Sequence, residues 1–134
     1  EIVWTMGKGG DFGEGLWAHC HDPQFVAKNR VLMLDNGLHR AGGEEYSRVI
    51  EIAFDPLAKT AEIVWEYRET PDFYSFALGS VKRYDAGNTF LADGVAGRLL
   101  EIAPDASVVW SAQLATGFGT YKAITVPTVF FTQW

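Results

Sequence analysis

The residues with the greatest chemical potential lie in the first half of the chain. All three histidines fall within its first forty positions. A group of six polar side chains could bind a tetrahedral oxyanion such as sulfate or phosphate: His19, His21, Asn36, His39, Arg40 and Arg48. Histidine serves as a nucleophile or a general acid and base near neutral pH, and the planar guanidinium of arginine suits such an anion. The residue types are compatible with an oxyanion site and equally with a solvated polar loop.

Two histidines in this group are spaced so that they could bind a metal ion. On a strand, His19 and His21 would share a face and could chelate a metal ion. No third ligand with suitable spacing is evident, so we prefer one hydrogen-bonded and one exposed histidine, and we predict no metal or other cofactor. Cys20 would face the opposite way, which favours a buried, inert thiol. The loop carboxylates receive no acid or base role: Asp22, Asp35, Glu44 and Glu45.

Short strands that occur twice must position these residues. Residues 48–53 and 63–65 match residues 98–103 and 108–110 in type, at offsets of 50 and 45. Repeats of this length built from short strands indicate the blades of a β-propeller. Within residues 48–55, alternation places Ile50 and Ile52 on one face and Glu51 on the other, as a paired or solvated carboxylate. Helical periodicity is absent, so the predicted fold class is all-β.

The turn signals divide a single partial propeller domain, residues 1–134, into blades. We predict one complete four-stranded blade at 16–68 and another at 75–114. Residues 1–5 are predicted as the last strand of a preceding blade, and 120–134 as the start of the next. A polar insert at 38–45 has no equal in the second repeat, and extra loop length commonly builds a binding face. Since blades bury their faces only against neighbours, we expect further blades from the rest of a longer chain or from a second copy.

Composition narrows the classes of partner. The chain has 134 residues, 48% of them hydrophobic, which is typical of a globular domain. Its net charge is −6 and its 11 lysines and arginines are scattered, which argues against a nucleic-acid or anionic-membrane surface. No apolar run approaches the roughly 18 residues of a membrane span, and no signal peptide begins the sequence. Both ends are expected to be cuts through a larger structure.

Several motifs, in order along the chain, resemble the bacterial arylsulfotransferase family. They are His-Asp at 21–22, the run 30–37 ending in Asp-Asn-Gly, Tyr-Ser-Arg at 46–48, and the segments 62–67, 79–81, 87–89 and 121–123. Members of this family are six-bladed β-propellers, typically exported to the periplasm or beyond. They move a sulfuryl group from a phenolic sulfate ester to a phenol through a sulfurylated histidine, without a nucleotide sulfate donor. The resemblance therefore implies these two substrates and an extracytoplasmic location.

The resemblance also implies roles for single residues. His21 matches the histidine of the family's His-Asp motif, and Arg40 looks like the arginine that follows Asp-Asn-Gly. Their implied catalytic roles are to hold the sulfuryl group and to offset charge on the leaving phenolate oxygen. The rest of the polar group is expected to bind substrate: His19, Asn36, His39 and Arg48.

One departure from the family pattern keeps other functions open. The nucleophilic histidine is expected on another blade, near 74–80, but no histidine follows His39. Which histidine is sulfurylated therefore stays open. A non-catalytic propeller piece that acts in assembly or ligand binding is the main alternative, and a quinone- or sugar-handling propeller enzyme is a third.

Overall fold

The chain folds into two consecutive antiparallel sheets. This computed structural model describes residues 2–115 and 119–126, and within them eight strands and no helix are present. The first sheet contains β1 (Cys20–Ala27), β2 (Arg30–Asp35), β3 (Arg48–Asp55) and β4 (Thr60–Tyr67), in that order. The second contains β5 (Ser80–Arg83), β6 (Thr89–Asp93), β7 (Arg98–Ile102) and β8 (Val108–Gln113), again in chain order. The predicted all-β propeller segment is confirmed, as an open arc whose two sheets do not close on each other.

The strands lie inside the two predicted blades. Strands β1 to β4 fall within 16–68, and β5 to β8 within 75–114. The flanking assignments stay predictions: residues 2–5 and 120–126 are not in strands here. A strand is defined by its hydrogen bonds to a neighbour, and the blades that would pair with these segments are not part of the structure. Residues 1 and 127–134 lie outside the described residues.

Pro23 predicts an edge position for its strand, and β1 is an edge strand of the first sheet. The pairing with β2 is irregular around the proline: His21 lies opposite Leu34, but Gln24 lies opposite Leu32. One extra residue on β1 is therefore accommodated as a bulge, and the missing N–H of proline interrupts no regular ladder. The bulge sets where the side chains on either side of Pro23 point.

A hydrophobic core joins the two sheets face to face. Its buried members are Leu32, Leu34, Val49, Tyr67, Phe73, Val81, Leu91, Leu100 and Ile102. A second core covers the other face of the first sheet, where Phe12 and Trp4 of the N-terminal segment pack near Ile50, Ile52 and Phe54. The predicted alternation along β3 is confirmed, because Ile50 and Ile52 belong to the second core and Val49 to the first.

Glu51 forms an ion-pair link between the sheets. Its carboxylate accepts hydrogen bonds from Arg30 Nη1 at 2.7 Å and from Arg83 Nη2 at 2.9 Å. Arg83 belongs to β5, and its guanidinium lies 4.6 Å from the centre of the Trp65 ring on β4. The prediction of a paired strand carboxylate is therefore confirmed.

Both sheets contain the same aspartate–arginine joint between their second and third strands. Asp35 lies opposite Arg48, and Asp93 lies opposite Arg98. Each arginine donates through Nε to its aspartate, at 2.8 Å in the first sheet and 3.1 Å in the second. The two partners are separated by 13 positions in the first sheet and by 5 in the second. The polar insert at 38–45 therefore lengthens the turn between the two partners in the first sheet, but the aspartate–arginine pair is the same in both sheets.

We expect Gly79→Ala to lower the free energy of unfolding strongly. Gly79 has φ 91°, and a Cβ there would lie 2.5 Å from Leu34 Cδ2 and 2.7 Å from the Ala92 carbonyl oxygen. Crowding adds to backbone strain, so the expected loss is about 2–4 kcal/mol. Gly42→Ala is the matched control, because Gly42 has φ 92° and nothing within 4 Å of the same position. Equal losses for the two variants in urea unfolding would show that the close contact between the sheets does not matter.

Candidate functional site

The centre of the site is the carboxylate of Asp35 at the end of β2. Its Oδ2 accepts hydrogen bonds from Arg48 Nε at 2.8 Å and from Arg40 Nη2 at 3.0 Å. Its Oδ1 accepts one from the Ala18 N–H at 2.9 Å. The carboxylate is fully buried, and only 10% of either arginine side chain is exposed. A buried charge requires such partners, so Asp35 fixes the insert to the sheet through Arg40.

Arg48 is engaged at all three of its nitrogens. Besides the Asp35 contact, Nη1 donates to Glu66 at 3.3 Å and Nη2 donates to the Leu16 carbonyl oxygen at 2.7 Å. Burial favours loss of its charge, but the hydrogen bond and charge of Asp35 and the charge of Glu66 raise the pKa of Arg48 above its ordinary value. Arg48 is thus a permanently charged link between β3, β4 and the segment before β1.

The Nη2 atom of Arg40 is hydrogen-bonded, whereas its Nε atom has no hydrogen-bond partner among the described residues. Its Nη2 also donates to the Tyr46 carbonyl oxygen at 3.2 Å, and its guanidinium lies 4.1 Å from the centre of the Tyr46 ring. Arg68 lies 3.5 Å from the same ring. Cation–π contact with a buried tyrosine restricts the guanidinium without using its N–H groups. The buried Nε of Arg40 has no hydrogen-bond partner among the described residues, so it can still donate to an anion.

A cleft of about 620 Å³ opens beside Arg40. Its walls are the glycine-rich segment before β1, the insert and the start of β3. Lys8 and Arg40 contribute positive charge, Glu14 and Glu44 contribute negative charge, and Trp17 and Tyr46 contribute aromatic surface. This volume suits a small organic ligand, and the side chains suit an aromatic molecule that carries an anionic group.

His19 and His39 contact each other at the surface. His19 Nε2 lies 3.2 Å from His39 Nδ1, and the rings meet edge to face with centroids 5.0 Å apart. His19 precedes β1 and has φ 53°, so the strand alternation that would pair it with His21 does not apply. The described residues contain no cluster of three or more side chains able to hold a metal ion. Of this pair, only His39 lines the cleft.

His21 is hydrogen-bonded to Asn36 and not to either of the other histidines. Its Nδ1 lies 2.6 Å from Asn36 Oδ1, and Asn36 is fully buried. The amide nitrogen of Asn36 donates to the carbonyl oxygens of Ser75 at 2.6 Å and Leu78 at 3.1 Å. The six predicted residues therefore fall into three groups: Arg40 with Arg48, His19 with His39, and His21 with Asn36. His39, Arg40 and Arg48 line the cleft, but His21 and Asn36 do not.

Asp22 joins His21 to the second sheet. Its Oδ2 accepts a hydrogen bond from the Val81 N–H on β5 at 3.2 Å, and its Oδ1 pairs with Lys122 Nζ at 3.0 Å. Gln24 adds a hydrogen bond to the Val81 carbonyl oxygen. The carboxylate beside His21 is therefore occupied by contacts with β5 and with Lys122.

Cys20 is half-buried between β1 and the second core. Burial, and secondarily the charge of Asp35, raises the pKa of its thiol. A raised pKa reduces the fraction of reactive thiolate at neutral pH. This agrees with the predicted inert thiol.

Sequence reasoning missed two contributors to the site. Asp35 was predicted to be an ordinary loop carboxylate, but it is the counter-ion of two arginines. The repeat contains the signal that would have found it, because Asp93 and Arg98 occupy the same joint in the second copy. Tyr46 stands in a recognised motif, but no feature of the sequence indicates that its ring contacts Arg40.

A comparison with protein-family models decides the family. The model described as Arylsulfotransferase (ASST) matches residues 9–126, which contain all eight strands and every cleft-lining residue except Gly7 and Lys8. The chain belongs to the arylsulfotransferase family. A search of functionally curated proteins finds no match. Membership of the arylsulfotransferase family supports a sulfotransferase-like function and implies aryl sulfates and phenols as substrates. The described part of the chain contains no candidate transmembrane helix.

We expect Asp35→Asn to destabilise this arylsulfotransferase domain by about 3–5 kcal/mol, because two buried guanidinium groups lose their counter-charge. Asp72→Asn is the control. Asp72 also pairs with an arginine, Arg68 at 2.6 Å, but this pair lies at the surface, where solvent weakens it. Urea unfolding of both variants measures the difference. Similar small losses would mean that the Asp35 charge does not organise the site.

Proposed function

We propose that this chain forms part of an arylsulfate sulfotransferase, which moves a sulfuryl group from a phenolic sulfate ester to a phenol through a histidine and needs no nucleotide sulfate donor. One observation carries the proposal: within the residues that the family model matches, Arg40 lies at a cleft beside the aromatic side chains of Trp17 and Tyr46. A sulfate ester of a phenol offers the two complementary features, an anionic head and a flat ring.

Arg40 is the residue we assign to the sulfuryl oxygens. Its Asp35 and Tyr46 contacts fix the guanidinium plane, while Nε has no partner among the described residues. A charge-assisted hydrogen bond from a fixed donor is stronger than a neutral one and needs no reorganisation as charge develops. Arg48 supports this group through the shared carboxylate of Asp35, and His39 is placed at the cleft wall to contact the substrate.

The proposed reaction has two balanced steps. A histidine nitrogen forms a bond to sulfur, and the bond from sulfur to the donor's phenolic oxygen breaks, so that the phenolate leaves with the electron pair and takes up a proton. The oxygen of the acceptor phenol then bonds to sulfur and gives up its proton. The bond from sulfur to nitrogen breaks and returns the electron pair to the histidine. Arg40 and His21 stabilise the oxygens on which negative charge grows.

His21 is our candidate for holding the transferred group, and we assign the sulfurylated histidine to another blade. Residues 74–80, where the family resemblance places the nucleophilic histidine, contain no histidine. His19 supports His39 through their mutual contact, and Asn36 supports His21. This assignment requires further blades, supplied by more chain or by a second copy. We also propose an extracytoplasmic location, for which the family is the support.

A non-catalytic role in assembly is the second candidate. Its support is the apolar outer strand β8, on which Val108, Val109 and Trp110 are about half exposed, at 46%, 56% and 48%. The missing later histidine points the same way. Under this alternative the chain contributes blades or binds a ligand without turning it over.

Turnover of a chromogenic aryl sulfate by a complete propeller that contains these two blades, with and without a phenol acceptor, tests the proposal, because the sulfurylated histidine is assigned to another blade. We expect release of the chromophore only when the acceptor is present, and a loss of about 100-fold in kcat/KM for Arg40→Lys and for His21→Ala. Arg83→Lys is the matched control, since Arg83 is also paired with one carboxylate and stacked on an aromatic ring, but outside the cleft. Equal losses in Arg40→Lys and Arg83→Lys would overturn the role of Arg40. No turnover by the unmodified protein would favour the assembly role.

A further inference from the structure

The amide of Asn36 has only one possible orientation. One end of the amide lies 2.6 Å from the Ser75 carbonyl oxygen and 3.1 Å from the Leu78 carbonyl oxygen. Carbonyl oxygens only accept hydrogen bonds, so the NH₂ group must point to them. The reversed amide would bring three acceptor oxygens together in a fully buried position and leave them all unsatisfied. Oδ1 therefore points to His21.

This orientation determines which nitrogen of His21 carries the proton. Nδ1 lies 2.6 Å from Asn36 Oδ1, an oxygen that can only accept. A hydrogen bond forms there only when Nδ1 is protonated. In neutral His21 the other nitrogen, Nε2, must then carry the lone pair. A free imidazole side chain prefers the opposite tautomer, so the contact with Asn36 reverses the intrinsic preference.

Ser47 holds Asn36 in place through buried hydrogen bonds. Ser47 Oγ donates to the Asn36 carbonyl oxygen at 2.7 Å and accepts from the Ser75 N–H at 2.8 Å. Asn36, Ser47 and Ser75 are all fully buried. Asn36 thus joins the end of β2 to the connection between the two sheets, and neither partner can move without breaking buried hydrogen bonds.

We propose that Asn36 is a positioning residue, which holds neutral His21 in the Nδ1–H form and leaves Nε2 as the nitrogen that can accept a proton or bind a ligand. The catalytic use of this arrangement rests on the function proposed above, but the protonation pattern does not. Neutral His21 can then accept a proton at Nε2 from the acceptor phenol as the phenol oxygen bonds to sulfur. Charged His21 can donate from Nε2 to an oxygen of the sulfuryl group. This replaces the expectation that Asn36 binds substrate directly.

Nuclear magnetic resonance of protein labelled with ¹⁵N-histidine tests the proposal. Two-bond correlations between ring carbon-bound protons and ring nitrogens distinguish a protonated from an unprotonated nitrogen. The measurement is made at about pH 8, because an ordinary histidine, with a pKa of about 6.5, is neutral there. His21→Gln identifies the His21 signals by their loss. We expect a protonated Nδ1 and an unprotonated Nε2 for His21 in the unmodified protein.

Two variants separate positioning from general structure. Asn36→Ala should shift His21 toward the Nε2–H form. Asn88→Ala is the matched control, because it removes an asparagine that donates to Glu101 in the second sheet. In turnover, Asn36→Ala should lower kcat by about 10–100-fold with little change in KM, which is the usual effect of losing an outer hydrogen-bond partner.

The resonance measurement tests the protonation of His21 whether or not the protein transfers a sulfuryl group. A protonated Nε2 on neutral His21 in the unmodified protein overturns the proposal, whether or not the protein is active. If Asn36→Ala retains the Nδ1–H form, Asn36 does not determine it. If Asn36→Ala does not fold, the unmodified protein still decides, since a His21 without a proton on Nδ1 contradicts the proposal. A protein with the expected His21 signals but no turnover leaves this inference standing and overturns the proposed function.

Discussion

Asp35 holds a negative charge out of contact with solvent, and two guanidinium groups lie within 3.0 Å of it. A carboxylate in such a position is stable only while its partners stay in place, because the cost of an unpaired buried charge exceeds that of most other defects. The end of β2, the start of β3 and the polar insert are therefore tied to one atom group. Arg40 and Arg48, the two arginines that pair with Asp35, also line the cleft.

The two copies of the repeat separate scaffold from function. Each sheet closes its central pair of strands with an aspartate opposite an arginine, so this joint belongs to the blade itself. Only the first copy adds Arg40 and the loop that carries it, and the cleft of about 620 Å³ lies beside this loop. Lengthening one turn thus adds a cleft to the blade, while the pairing on either side is unchanged.

The sequence was sufficient for the architecture because alternation and turn residues are local signals. The strands of both blades lie where apolar alternation and the Asp-Gly and Asn-Gly turns indicate. The site was accessible in part: His39, Arg40 and Arg48 do line one cleft. The pairing of His19 and His21 failed because His19 has a positive φ, which strand periodicity does not describe. The role of Asn36 depends on Ser75, 39 positions away, and no short-range pattern connects the two.

The ring of Tyr46 contacts two guanidinium groups that belong to different parts of the molecule. Arg40 comes from the insert, and Arg68 begins the connection that leads to the second sheet, where it pairs with Asp72. Through this one ring, the arginine of the insert is coupled to the connection between the two sheets. A rotation of one blade against the other would carry Arg68 with it, press on the Tyr46 ring and displace Arg40. The angle at which the two blades meet therefore helps to determine the position of Arg40.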